Sequence, residues 1–205
     1  MRTAPVAGVV LAAGRSRRFA GGRPKQLKTL DGEPLVRRVA SAALASRLGE
    51  VVVVLGHEAE AVGEALSGLA VRRVKNPAFE RGQSTSVRAG LAALGAGRLA
   101  AMFLLADQPL LEAATIDRLI AAWEETGGPI VVPVDRGSWG SPVLFDRALF
   151  GELGELRGDA GGRRILPRHA GSIVAVEVGD RRQLLDVDTP EDLRRLEEMV
   201  LRATA

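Results

Sequence analysis

Between Val9 and Leu27 the chain reads VVLAAGRSRRFAGGRPKQL, which places three glycines and five basic residues directly after an apolar run. Glycine lets successive backbone N–H groups converge into a nest that suits an anion. Arg15, Arg17, Arg18, Arg23 and Lys25 surround that nest with fixed positive charge. A triphosphate is the guest that matches so many cations. Neither G-x-G-x-x-G nor G-x-x-x-x-G-K-[ST] occurs, so the stretch is neither a dinucleotide fingerprint nor a P-loop. Taken alone it could be a solvated basic turn; against that, Lys25 is one of only three lysines in a chain that otherwise uses arginine.

Acids follow at two places. AAMFLLADQPLL ends an apolar run in Asp107, and LLDVDTPEDL alternates Asp186 and Asp188 around Val187, a period of two that sends both carboxylates to one side. An aspartate at the carboxyl end of a strand, facing a basic loop, is placed to hold Mg²⁺ on phosphate oxygens. The second cluster reads equally as the start of a helix, with Thr189 as cap and Pro190 at the first helical position. NPAFERGQSTSVRAGL offers N-cap oxygens from Ser84, Thr85 and Ser86 and helix N-terminal amides, suited to a ribose, a base carbonyl or a phosphate. His57 and His169 are the only histidines and stand in unrelated contexts, so no Ser-His-Asp or histidine–metal spacing appears. Attack by a phosphate on the α-phosphorus of a nucleoside triphosphate fits this inventory. The nucleophile is already an anion, and positioning with charge neutralisation carries the catalysis.

Those residues need a scaffold that brings them to one edge. Apolar, β-branched runs at Val6–Leu11, Val51–Leu55, Val71–Val74, Ala101–Ala106, Ile130–Val134 and Ile173–Val178 predict strands. Helical spacing at Pro34–Leu48, Ala59–Leu69, Ser84–Leu94 and Thr115–Glu125 alternates with them. The alternation predicts a Rossmann-like α/β fold, a mostly parallel sheet with helices on both faces and every strand's carboxyl end on one edge. Gly137–Phe145 and Gly151–Gly162 break the pattern and read as an insertion over that edge; Leu184–Pro190 reads as a strand end before a closing amphipathic helix.

With 205 residues and 46% hydrophobic content, we expect a single domain spanning 1–205, its N-terminal half binding nucleotide and its C-terminal half the acceptor. There is no cysteine, which removes disulfides and thiol chemistry. The sequence pI of 10.1 accompanies a net charge of only +3 and follows from arginine-rich composition without tyrosine or cysteine. With aromatics at 3%, we expect no nucleic-acid partner. No apolar run approaches the roughly 20 residues of a spanning helix, so no membrane partner and a cytoplasmic location are expected.

The ordered set LAAGRSRRF…RPKQL, GQSTSVRAGL, LLADQP, GSPVLF, GDAGGRRIL and DVDTPEDL resembles the MobA-like nucleotidyltransferases, most closely the molybdenum cofactor cytidylyltransferases. That resemblance implies Mg²⁺-dependent transfer of CMP from CTP to the terminal phosphate of molybdopterin or its molybdenum form. A molybdoenzyme of the xanthine dehydrogenase type is the implied further partner. It implies catalytic roles for Arg18 and Lys25 and nucleotide contacts from Leu11, Ala12, Ala13, Gly14, Arg15, Ser16, Gly82, Ser86 and Asp107. Acceptor contacts would come from Ser141, Pro142 and Asp159, and metal ligation from Asp107 and Asp188. RPKQL and SVRAGL also resemble the 2-C-methyl-D-erythritol 4-phosphate cytidylyltransferases. A nicotinamide-dependent reductase or a non-catalytic nucleotide-binding protein would use the same fold, but the reductase lacks its dinucleotide fingerprint here.

Overall fold

The computed structural model describes residues 5–16, 19 and 24–204. Arg18, with Arg17 and Arg23, lies outside the described residues. Among the described residues, ten strands alternate with six α-helices. The strands are β1 (Val6–Ala12), β2 (Thr29–Leu30), β3 (Glu33–Pro34), β4 (Glu50–Leu55), β5 (Arg72–Lys75), β6 (Ala100–Leu105), β7 (Ile130–Asp135), β8 (Ser138–Trp139), β9 (Val143–Asp146) and β10 (Ile173–Glu177). The helices are α1 (Leu35–Leu44), α2 (Ala59–Ala65), α3 (Gln83–Ala92), α4 (Ala113–Thr126), α5 (Phe150–Gly154) and α6 (Pro190–Thr204).

The main sheet runs β10-β7-β9-β6-β1-β4-β5, with β8 paired to β7. β1 pairs in parallel with β4 on one side and β6 on the other, so the chain order reverses direction across the sheet at β1. Such a switch point opens a crevice at the carboxyl ends of the two strands that part there. β1 ends at Ala12 and β6 at Leu105, which puts the basic loop and Asp107 side by side at that crevice.

Alternation along each buried strand decides which helices cover which face. Val10, Val53, Met102 and Leu104 pack beneath α1, α2 and α4. Val9, Val52, Val54 and Phe103 face the other way, toward α3 and α5. Gly90 lets α3 settle directly on β1, because a Cβ there would overlap Val9. A smaller cluster of Phe19, Leu30, Leu35, Val187 and Leu196 ties α6 and the extended segment before it to the β2–β3 hairpin region.

Three expectations need correction. β9 does not lie over the binding edge: it sits inside the sheet, antiparallel to both β6 and β7, so the strands do not all point one way. Its residues Val143, Leu144 and Phe145 are apolar on both faces, which suits an interior position. Leu184–Pro190 forms no strand but follows a short 3-10 turn, Arg181–Leu184. The helix expected from Ser84 begins at Gln83 with Gly82 at its cap, so Ser84, Thr85 and Ser86 lie inside its first turns rather than capping it.

Candidate active site

Hydrogen bonds from side chain to backbone fix the loop after β1. Gln26, buried beside Lys25, donates from Nε2 to the Gly14 carbonyl at 3.2 Å and accepts from Ser16 Oγ at 3.2 Å. Ser16 Oγ in turn accepts the Lys25 N–H at 2.9 Å. Ser16 holds a φ of 53°, a left-handed conformation sustained by these bonds. Gln26 stands in RPKQL beside the lysine that drew attention, and nothing in its spacing marked it as the loop's anchor.

The acids reach the same place by a separate route. The Val187 N–H donates to the Asp107 carbonyl at 2.8 Å, and Gln108 Nε2 donates to the Leu184 carbonyl at 3.2 Å. These bonds lay the segment before α6 against the end of β6. Asp192 then accepts the N–H groups of Asp188 at 3.1 Å and Thr189 at 2.8 Å, while Thr189 Oγ1 accepts the Asp192 N–H at 3.2 Å. This reciprocal cap starts α6 and fixes the Asp188 backbone.

Lys25 is the meeting point. Its ammonium lies 2.7 Å from Asp188 Oδ1 and pairs also with Asp107 Oδ2. Burial pulls the Lys25 pKa down, but the charge of Asp107 and the hydrogen bonds that Lys25 donates to both carboxylates outweigh it and hold the group above its ordinary value. Asp186 moves the other way: loss of hydration, then the like charges of Asp107 and Asp188, raise it to about 6. Its side chain keeps an open flank, so the neighbouring carboxylates are the firmer cause of the upward direction.

A cavity of about 730 Å³ opens over this centre. Gly14, Arg15, Ser16, Lys25, Asp107 and Asp188 line one part of its wall, and Leu11, Ala13, Gly82, Ser86 and Asp159 complete the expected residues that reach it. Arg15 is ion-paired with Glu80, and its guanidinium lies 5.7 Å from the centre of the Phe79 ring. Asp159 arrives on the loop after α5: the Gly158 carbonyl accepts the Ser84 N–H at 3.2 Å, and Asp159 Oδ1 approaches the Gln83 N–H at 3.4 Å. Gly82, with φ 104°, permits this close approach, since a Cβ would overlap the Gly158 backbone. Phe79, Glu80 and Gln83 also line the cavity and were not expected.

Other expected residues fall elsewhere. Ala12 is fully buried in the core beneath the sheet. Ser141 and Pro142, in the connection from β8 to β9, are buried and do not line this cavity. His169 pairs with Glu152 at 2.7 Å, and His57 packs near Phe79.

The donor set fits a hard divalent cation. Among the described residues Asp107 Oδ1 is buried without a hydrogen-bond partner, and Asp188 stands across Lys25 from it. Among the described residues no group of three or more His, Cys, Asp or Glu could hold a metal by itself. Two carboxylates completed by phosphate oxygens and water are the usual arrangement for Mg²⁺.

A profile of the MobA-like NTP transferase domain matches residues 8–173. The purine catabolism protein PucB of Bacillus subtilis is 34% identical, covering 99% of each chain. The nicotine blue oxidoreductase of Paenarthrobacter nicotinovorans is 32% identical over 93% of this chain and 96% of its own. The bifunctional protein GlmU of Sorangium cellulosum is 36% identical over 75% of this chain, which spans only 33% of that longer protein. Among solved structures, the Rv0371c homologue of Mycobacterium sp. strain JC1 superposes with a TM-score of 0.84 at 32% identity, covering 98% of each chain. Rv0371c of Mycobacterium tuberculosis, solved as a manganese complex, gives 0.76 at 30% identity, covering 95% of this chain and 98% of its own. With a parting of strands at β1, a basic loop and paired acids on one cavity, and this match over most of its length, the chain is a nucleotidyltransferase that belongs to the MobA-like NTP transferase family.

Proposed function

We propose that this chain transfers CMP from CTP to the terminal phosphate of molybdopterin or its molybdenum form, releasing pyrophosphate, with Mg²⁺ held by Asp107 and Asp188. The observation that carries nucleotidyl transfer is the ammonium of Lys25 set between those two acids, beside the Gly14–Ser16 backbone, at the wall of one cavity.

In this reading an oxygen of the acceptor phosphate forms a bond to the α-phosphorus while the bond to the pyrophosphate oxygen breaks, and no proton need move. Lys25, Arg15 and the N–H groups of the Gly14–Ser16 loop hold the phosphates, with Arg18 assigned the same work from the resemblance. Bound Mg²⁺ neutralises charge on the phosphate oxygens. Leu11, Ala13, Gly82 and Ser86 take the base and ribose, with Ala12 contributing backbone. Asp159, and by resemblance Ser141 and Pro142, face the acceptor. The name of the Bacillus relative supports a recipient molybdoenzyme of the xanthine dehydrogenase type, since xanthine is a purine.

The test is pyrophosphate release with Mg²⁺ from CTP, GTP or ATP, using molybdopterin, its molybdenum form or methylerythritol phosphate as acceptor. Release with CTP and a pterin acceptor alone is the expected result. Release with methylerythritol phosphate instead would reassign the acceptor, and release from GTP would reassign the base.

A further inference from the structure

Lys25 Nζ touches both acids at once: Asp188 Oδ1 lies at 2.7 Å, and Asp107 Oδ2 is its other partner. Two carboxylates from distant segments therefore converge on one point, and a positive charge stands there. The second oxygen of Asp107, Oδ1, is buried. A cation approaching from the cavity thus meets the Oδ2 side of that carboxylate, which the ammonium holds.

The lysine is anchored at its backbone end. Its N–H donates to Ser16 Oγ at 2.9 Å, and Lys25–Leu27 form a 3-10 turn. Beyond that anchor runs a flexible four-carbon stem, so the ammonium can leave the acids by rotation while the loop stays in place. Arginine is the usual cation in this chain, and its planar fork would grip a carboxylate bidentately. Lysine supplies a single movable charge instead.

A divalent cation takes carboxylate oxygens as ligands, and here those oxygens carry the ammonium. An ammonium left beside the metal would also repel it. We propose that Lys25 and the divalent cation compete for the Asp107–Asp188 pair, so that metal alone binds weakly and a phosphate ligand that draws the ammonium away promotes metal binding. This rests on the metal-site reading above. The coupling is reciprocal: metal that frees the ammonium promotes phosphate binding by the same factor.

The test is titration of the full chain with Mn²⁺ alone, read by the electron paramagnetic resonance of the free ion. Wild type is compared with Lys25→Met and Lys28→Met, and Asp107→Asn is added to wild type and to Lys25→Met. Calorimetry of CTP in Mg²⁺ and thermal melting run alongside. Lys25→Met should bind Mn²⁺ about tenfold or more tighter than wild type, while its affinity for CTP falls about tenfold. Lys28→Met removes an equal charge close by in the sequence and should leave Mn²⁺ affinity unchanged.

A merely structural role for Lys25 would lower both affinities together, and that result overturns the inference. So does a Mn²⁺ affinity unchanged in Lys25→Met, or raised equally in Lys28→Met. If Asp107→Asn still weakens Mn²⁺ binding in those cases, the metal site stands without the competition. Mn²⁺ binding indifferent to Asp107→Asn in both backgrounds removes the metal site and this inference with it. Should Lys25→Met fail to fold, magnetic resonance of isotope-labelled lysine side chains in wild type carries the test, since the chain has only three lysines. Saturating Mg²⁺ should move the Lys25 ammonium signal; a signal that stays in place overturns the inference.

Discussion

Lys25 Nζ and Asp188 Oδ1 stand 2.7 Å apart although 163 positions separate them in sequence. The pair joins the loop after β1 to the segment that opens α6, and Asp107 at the end of β6 completes the group. The protein's own contacts therefore hold Lys25 and both acids together. Positioning of this kind lowers the reorganisation a charged transition state requires.

Removing that ammonium should be costly for turnover. Lys25→Ala is expected to reduce pyrophosphate release by about 10²-fold or more, the scale of losing one preorganised charge contact. Steady-state assays at saturating CTP check this; near-normal turnover would take Lys25 out of the reaction.

Asp107→Asn keeps the shape of the side chain and removes its charge. Metal-dependent pyrophosphate release should fall by about 10²-fold or more. Melting should change little, because Lys25 keeps Asp188 as a partner. A sharp drop in melting temperature would instead mark Asp107 as a structural acid.

Away from the site, Glu50 gives a pH-dependent test of stability. Burial pushes its carboxyl up, but the Gly95 N–H at 2.9 Å and the Arg98 guanidinium at 2.7 Å overcome this and hold it below its ordinary value of 4.5. A depressed carboxylate stabilises the fold fully above that ordinary value, and the contribution is lost as pH falls through the folded one. Glu50→Gln should therefore cost about 1–3 kcal/mol at pH 7. Denaturant titrations should show the gap to wild type closing in acid; a gap independent of pH would assign the effect to packing.

Gly82→Ala should disturb the cavity through the backbone. The residue holds φ 104°, and the added methyl would overlap Gly158. A loss of about 1–3 kcal/mol is expected from backbone strain. Nucleotide affinity should fall as well, because Gly82 itself lines the cavity; unchanged CTP binding and melting would show that the loop yields freely.

The sequence was most legible where burial and periodicity act along one element. Val51–Leu55 and Ala101–Ala106 announce two-sided burial in their apolar runs, and Lys25, Asp107 and Asp188, each singled out by its sequence context, line one cavity. What stayed hidden depends on pairing between distant segments. The apolar residues Val143–Phe145 suit a strand almost anywhere in a sheet, and only their bonds to β6 and β7 place β9 between them. Gln26 and Asn76 look like ordinary loop residues until the backbone brings Gly14 to the first and Ser86 to the second. The tie between Arg15 and Glu80 crosses two loops and leaves no spacing to read.

The interior position of β9 also bears on how the chain must be assembled during synthesis. One flank of β6 pairs with β1, but the other pairs only with β9, which is made after α4 and β7. Until Val143–Asp146 has left the ribosome, the backbone of Ala100–Phe103 is an open sheet edge beside β1, β4 and β5. Open edges of this kind invite pairing with other chains. The interval between the making of β6 and the making of β9 is thus the stage at which a nascent chain most needs shelter.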